Sequence, residues 1–178
     1  MAGEAGSSVP ERVRTACAWV AGRARSVQID QGALEPCAAG LTKAVEPSPP
    51  DPATELVEGD REARAAFVLC LDAINFGSGW WPTIRKRPGR SGYFTIAAGL
   101  TEHFRERRPW GAAELAAIDA AEIAAVLGQN PDHPLMIDFA AALRDVGEHV
   151  AREHGGRFEL VIEAANGSAV ALADLLAG

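Results

Sequence analysis

A mainly α protein, organised as a single helical domain over residues 1–178, is expected from three features of the chain. Apolar residues recur at three- and four-residue intervals along most of it. Aspartates in N-cap positions and glycines in closing positions punctuate these runs. Strand signals are confined to Val27-Gln28-Ile29 and Gly92-Tyr93-Phe94, and no repeat of fixed period is visible.

Taken in order, ERVRTACAWVAGRARS (11–26) places Val13, Cys17 and Val20 at helical spacing, and Asp30 is positioned to cap a second helix to about Ala44. EPSPPDP, Glu46 to Pro52, breaks the helical pattern, because each proline lacks a donor and turns its predecessor away from helical angles; residues 45–60 are expected to form a proline-rich loop. Asp60 is a candidate N-cap for REARAAFVLCLDAIN, whose near-continuous apolar run suggests burial on most sides. YFTIAAGLTEHFRER forms a further helix that ends before Pro109. Short alanine-rich helices follow near 112–118 and 120–127, with Asp119 and Glu122 as a capping box and Gly128 as the stop. The longest helix, 134–154, presents Leu135, Phe139, Leu143, Val146 and Val150 on one face and closes at Gly155-Gly156. Two last helices, near 157–165 and 168–177, flank the breaker Asn166-Gly167. The sequence stops at DLLAG, after an amphipathic helix whose leucines need a partner, so the domain is expected to be incomplete at its C-terminus.

With 178 residues, 48% of them hydrophobic and 23% charged, the chain can bury a substantial core. It contains no run of about eighteen apolar residues, and its N-terminus lacks the basic-then-apolar order of a secretory signal, so a soluble cytoplasmic protein without membrane contact is expected. A net charge of -7 argues against direct nucleic-acid binding. Cys17, Cys37 and Cys70 are set among alanine, valine and leucine and are expected to be buried free thiols. His103, His133, His149 and His154 lack metal-ligand spacing and are expected at the surface or at helix ends. No phosphate loop, dinucleotide fingerprint, HExxH, CxxC or GxSxG is present; neither metal nor cofactor is expected.

One stretch remains, NFGSGWWPTIRKRPGRSGYF, Asn75 to Phe94. It sets Phe76, Trp80, Trp81, Tyr93 and Phe94 beside Arg85, Lys86, Arg87 and Arg90, with glycines at 77, 79, 89 and 92. Aromatic faces stack on planar heterocycles, at about 1–3 kcal/mol per base. Glycine permits close approach of the backbone to a ligand, asparagine offers donor and acceptor to a base edge, and arginine or lysine holds phosphate. This combination suggests a nucleotide or modified-base pocket. The competing reading is that the rings plug a helical core while the cations face water.

The succession LDAINF, a tryptophan, SGYFTIAAGL and a helix ending before a proline resembles the queuosine salvage protein family, the queuosine 5′-phosphate N-glycosylases. DHPLMIDFAAALRDVGEHVAREHGGRFELVIEAANGSAVALADLL is similar to the family's downstream pattern, and the likeness runs from about residue 8 to the end. Asn75-Phe76 with Gly92-Tyr93 is its most specific part. Phe94 stands where the family usually has tryptophan, Gly77-Ser78-Gly79 replaces bulkier residues, and Phe139 replaces a frequent arginine. Family members continue beyond the point matching Gly178, into a segment whose lysine and carboxylates are expected to be catalytic.

The resemblance implies a fold similar to helical DNA glycosylases and hydrolysis of the N-glycosidic bond of queuosine 5′-monophosphate, releasing queuine for tRNA modification. It further implies a planar base set against Phe76, Trp80, Tyr93 or Phe94, with Asn75 reading an edge and Asp72 as the candidate catalytic carboxylate. For Asp72 the alternative is a helix-interior aspartate bonded to neighbouring backbone. For the chain as a whole it is a non-catalytic fragment that binds the modified base or scaffolds a missing half.

Overall fold

Capping chemistry sets the helix boundaries of the computed structural model, which describes residues 8–41, 49–56 and 58–177. Every regular element among these is an α-helix, and none is long and apolar enough to cross a membrane. The helices are α1 (Val9–Ala21), α2 (Gln31–Leu41), α3 (Arg61–Ala73), α4 (Gly92–Glu106), α5 (Ala112–Leu115), α6 (Ala120–Leu127), α7 (Pro134–Glu153), α8 (Phe158–Ala164) and α9 (Ala169–Leu176). They divide into two compact units, one formed by Met1–Pro49 with Gly167–Gly178, the other by Pro50–Asn166.

The first unit contains α1, α2 and α9. The Val9 N–H donates to Asp174 Oδ1 at 2.8 Å, tying the start of α1 to α9. Asp30 starts α2 as expected, its Oδ1 accepting from Gly32 N and Ala33 N at 2.9 and 3.2 Å. The last three residues of that cap's predicted helix, 42–44, and residues 46–48 of the proline segment lie outside the described residues. None of the three helices buries a residue among those described. The apolar stripe of α1 is therefore no core face: Val13, Cys17 and Val20 are all exposed. Two thiols expected to be buried, Cys17 and Cys37, are exposed, whereas Cys70 in α3 is fully buried and burial pushes its pKa up.

The second unit holds the core. Its longest helix, α7, buries Leu135, Phe139, Leu143 and Val150 completely, each contributing about 1.5–3 kcal/mol of transfer free energy. Val146, predicted on the same face, is half-buried, because Gly147 takes the tightest position. A Cβ on Gly147 would lie 2.5 Å from Ala116 N and 2.6 Å from Ala112 O, so the backbones of α5 and α7 touch. Arg144 Nη1 donates to the Ile118 carbonyl at 2.9 Å and locks the same contact. Helix α3 packs on α4, α7 and α8, and α6 packs on α4 and α7.

Asp60 caps α3 through Ala63 N at 2.8 Å, and Asp119 caps α6 through Glu122 N at 2.8 Å. Left-handed backbone at Gly128, Gly155, Gly156 and the pair Asn166-Gly167 ends helices where the sequence placed breakers. Neither strand candidate forms. Residues 27–30 belong to no regular element, and Gly92-Tyr93-Phe94 is the first turn of α4. Ser91 decides the latter, its Oγ accepting from Phe94 N at 3.4 Å.

Candidate functional site

The turn between α3 and α4 gathers the residues singled out in the sequence. Ile74 closes α3, and Asn75 N donates to the Asp72 carbonyl at 3.2 Å, so Asp72, Asn75 and Phe76 leave the helix end in succession. Gly77 follows in left-handed backbone (φ 79°), where a Cβ would meet Leu135 Cδ1 at 2.5 Å. Any side chain there would push the loop off α7.

Trp80 N donates to the Gly77 carbonyl at 2.8 Å, and a relay fixes the Trp80 carbonyl in turn. Leu135 N donates to His133 Nδ1 at 3.2 Å, so the neutral ring carries its proton on Nε2. That N–H faces Thr83 Oγ1 at 2.9 Å, and the Thr83 hydroxyl donates to the Trp80 carbonyl at 2.7 Å. His133 is thus the N-cap of α7 and an anchor of the loop, half-buried at a helix end as expected.

Of the other histidines, His103 in the last turn of α4 and His154 at the C-cap of α7 also stand at helix ends, while His149 lies within α7. All three are half-buried, with Nε2 atoms that have neither solvent nor a partner among the described residues. His103 lies against Trp110 at 4.3 Å, and burial pulls its pKa down.

The loop's rings do not plug the core. Phe76, Trp80 and Phe94 are 38%, 44% and 44% exposed, while the interior is filled by Phe67, Phe104, Trp110, Phe139 and Phe158. Phe76 stands edge-on to Phe139 with centroids 5.1 Å apart at 88°. Tyr93 stands edge-on to Phe94 at 5.2 Å, and Trp81 tilts against Tyr93 at 6.4 Å. In each T-shaped pair one ring presents its edge to the face of the other. Trp81 owes its place to Gly92, where a Cβ would overlap the indole's Cβ and Cγ at 2.5 Å. Its Nε1 is buried without an acceptor.

Two carboxylates bear on Tyr93. Burial raises the phenol's pKa first, and the negative charges of Asp72 and Glu55 raise it further. Asp72 itself is pushed above the ordinary carboxyl value by partial burial. Its carboxylate takes no hydrogen bond among the described residues, which removes the backbone-bonded alternative. Asn75 is exposed, and its side-chain amide likewise has no partner there.

Asp72 therefore lies near Tyr93, Tyr93 near Phe94, and Phe76 on Phe139; Trp80 touches none of these rings. The sequence reading did not count Trp81 or Glu55 among its candidates, yet Trp81 packs against Tyr93 and the charge of Glu55 reaches it. The Trp-Trp doublet carried the first signal; nothing near Glu55 carried the second.

Two of the four cations in the basic run, Arg87 and Arg90, are paired with carboxylates. Both Arg87 Nη atoms bond the Glu102 carboxylate, which that bond holds below its usual pKa. Arg90 Nη1 donates to Asp51 Oδ2 at 2.9 Å. Arg85 exchanges backbone bonds with the Gln129 side chain at 2.8 and 2.9 Å. No group of three or more potential metal ligands occurs among the described residues.

Comparison with known proteins agrees with the residues on which the resemblance was based. Residues 56–178 match the family model described as queuosine salvage protein. A curated relative from Sphaerobacter thermophilus, named queuosine 5′-phosphate N-glycosylase/hydrolase, is 34% identical over 169 residues. The match covers 92% of this chain and 52% of the relative, so the chain spans about half the length of the curated relative. With the family pattern matched over α3 to α9, the chain belongs to the queuosine salvage protein family.

Proposed function

We propose that this chain carries the base-recognition half of an N-glycosidase that hydrolyses queuosine 5′-monophosphate to queuine and ribose 5-phosphate in the cytoplasm. The observation that carries the reading is that Phe76, Trp80 and Phe94 stay exposed along the segment joining α3 to α4, with Tyr93 beside Phe94 and within reach of the Asp72 charge. A flat deazaguanine would lie against these rings while the unpartnered Asn75 amide reads its edge.

Hydrolysis breaks the bond between the anomeric carbon and the base nitrogen. Water supplies hydroxide to the carbon and a proton to the departing base. Positive charge develops on the sugar, and a carboxylate facing it lowers the barrier electrostatically. Asp72, whose charge bears on Tyr93, is the candidate for that carboxylate.

A second reading is recognition of the base by these residues without cleavage. Mass-spectrometric detection of free queuine, after mixing the folded 178-residue chain with queuosine 5′-monophosphate, separates the two. Release that is lost in Asp72→Asn supports cleavage by these residues. Tryptophan quenching by queuine without release supports recognition alone. Neither release nor quenching refutes both.

A further inference from the structure

We propose that α1 is covered by the outer face of α7 from a second copy of this chain. The receiving surface is a groove of about 480 Å³ along α1, lined by Arg12, Thr15, Ala16, Trp19 and Val20.

A helix of the length of α1, 13 residues, is marginal in water on its own and draws its stability from burying an apolar face. In its unit that face is bare. Val13, Trp19 and Val20 are 55%, 59% and 59% exposed, and no described residue of α1, α2 or α9 is buried. Single exposed apolar side chains are ordinary, but a contiguous run of them marks an interaction surface.

The charges around the groove specify its cover. Arg12 and Arg25 have no carboxylate partner among the described residues. The Arg23 guanidinium lies 4.2 Å from the centre of the Trp19 ring and donates to the Trp19 carbonyl at 3.4 Å. Glu11, the one acid of α1, is engaged in the cap, its Oε2 accepting from Ser8 N at 3.0 Å. A complementary surface is therefore apolar or small in its middle and acidic at its ends.

The outer face of α7 has that character. Ile137, Asp138, Ala141, Asp145 and Glu148 fall within about 100° of arc, on the side away from the buried stripe. Ile137 is 56% exposed. Asp138, Asp145 and Glu148 are exposed and have no hydrogen-bond or ion-pair partner among the described residues. Asp138 and Glu148 stand ten residues apart, about 15 Å along the axis, and Arg12 and Arg23 stand eleven apart, a similar reach. Each end of the groove can thus meet a carboxylate while the small Ala141 leaves room for the Trp19 indole. Because every copy carries both surfaces, two reciprocal contacts close a dimer and one-way contacts extend a chain.

The test is sedimentation of the whole 178-residue chain from about 1 to 200 μM, in low and high salt, with circular dichroism confirming that each variant is folded. The expected result is a mass that rises above the monomer with concentration, through an association that salt weakens. Arg12→Glu with Arg23→Glu, or Asp138→Arg with Glu148→Arg, should each weaken it at least about tenfold. Mixing these two folded variants should restore it, since each then offers the surface the other needs. Trp19→Ser, which removes the ring without changing the charge, should weaken it as well.

A chain that stays monomeric throughout overturns the proposal. So does an association that neither pair of reversals changes, which would place the contact on other surfaces. Association abolished by both reversals but not restored on mixing also overturns it, because the two charged faces would then not be partners.

Discussion

Gly92→Ala is the substitution that most directly probes the architecture of the site. Gly92 opens α4 with ordinary backbone angles, so alanine carries no conformational penalty there and favours the helix. Its methyl would nevertheless meet Trp81 Cβ and Cγ at 2.5 Å and Cδ2 at 2.8 Å. These are the root atoms of the indole, so rotation about the side-chain bonds cannot clear them and the loop must shift. Overpacking of this kind costs about 1–3 kcal/mol. At about 2.1 cal/mol/K per residue over the second unit, the melting temperature should fall by roughly 4–12 °C. The assay is urea unfolding followed by tryptophan emission. The folded emission should also shift to the red as Trp81, whose Nε1 is buried, moves towards water. A variant as stable as the parent with unchanged emission would refute the close approach of α4 to Trp81, and with it the account of how the rings are held.

Asp72→Asn tests a charge held at some cost. The folded-state pKa of Asp72 is raised by burial, so the folded chain binds more protons than the unfolded one between the two pKa values, and this group's contribution weakens as pH rises through that window. Asparagine should therefore leave the melting temperature at pH 7 equal or slightly higher and reduce this pH dependence, while any queuine release is lost; a marked fall in stability would show that the carboxylate has a structural partner. Glu62→Gln addresses the α3–α8 junction, where the Glu62 carboxylate accepts from Phe158 N and Glu159 N, both at 2.8 Å. The amide can keep only one of these bonds and turns a donor towards the other N–H, so a loss of about 1–3 kcal/mol is expected in urea unfolding; a change below about 0.5 kcal/mol would contradict the double cap.

What could be foreseen was chemistry that acts between neighbours in the chain. Asp60, Asp119 and Gly128 bound their helices because cap bonds span only a few residues. Most of the buried stripe of α7 followed from its apolar spacing, whereas Gly147 displaced the predicted Val146 because its role is set by the α5 backbone. Misreadings arose where tertiary partners decide. Trp81 meets Gly92 eleven positions away, and Arg90 finds Asp51 39 positions back, so neither the ring's placement nor this ion pair had a local signature. His149 and His154 approach to 5.5 Å only because the chain turns at the end of α7. Cys17 and Cys37 show the converse failure: an apolar neighbourhood in sequence did not bring burial in space.

Glu62 binds the N–H groups of Phe158 and Glu159, 96 and 97 positions downstream, and Arg61 meets Glu163 at 3.1 Å. The opening turn of the Pro50–Asn166 unit is thus fastened to its last helix. During vectorial synthesis α3 leaves the ribosome long before its clasp exists. Its apolar side, with Phe67, Cys70 and Leu71, must wait for α4 and α7 before α8 seals it. The unit therefore closes like a ring, and its completion is a late event governed by the emergence of the residues around Phe158.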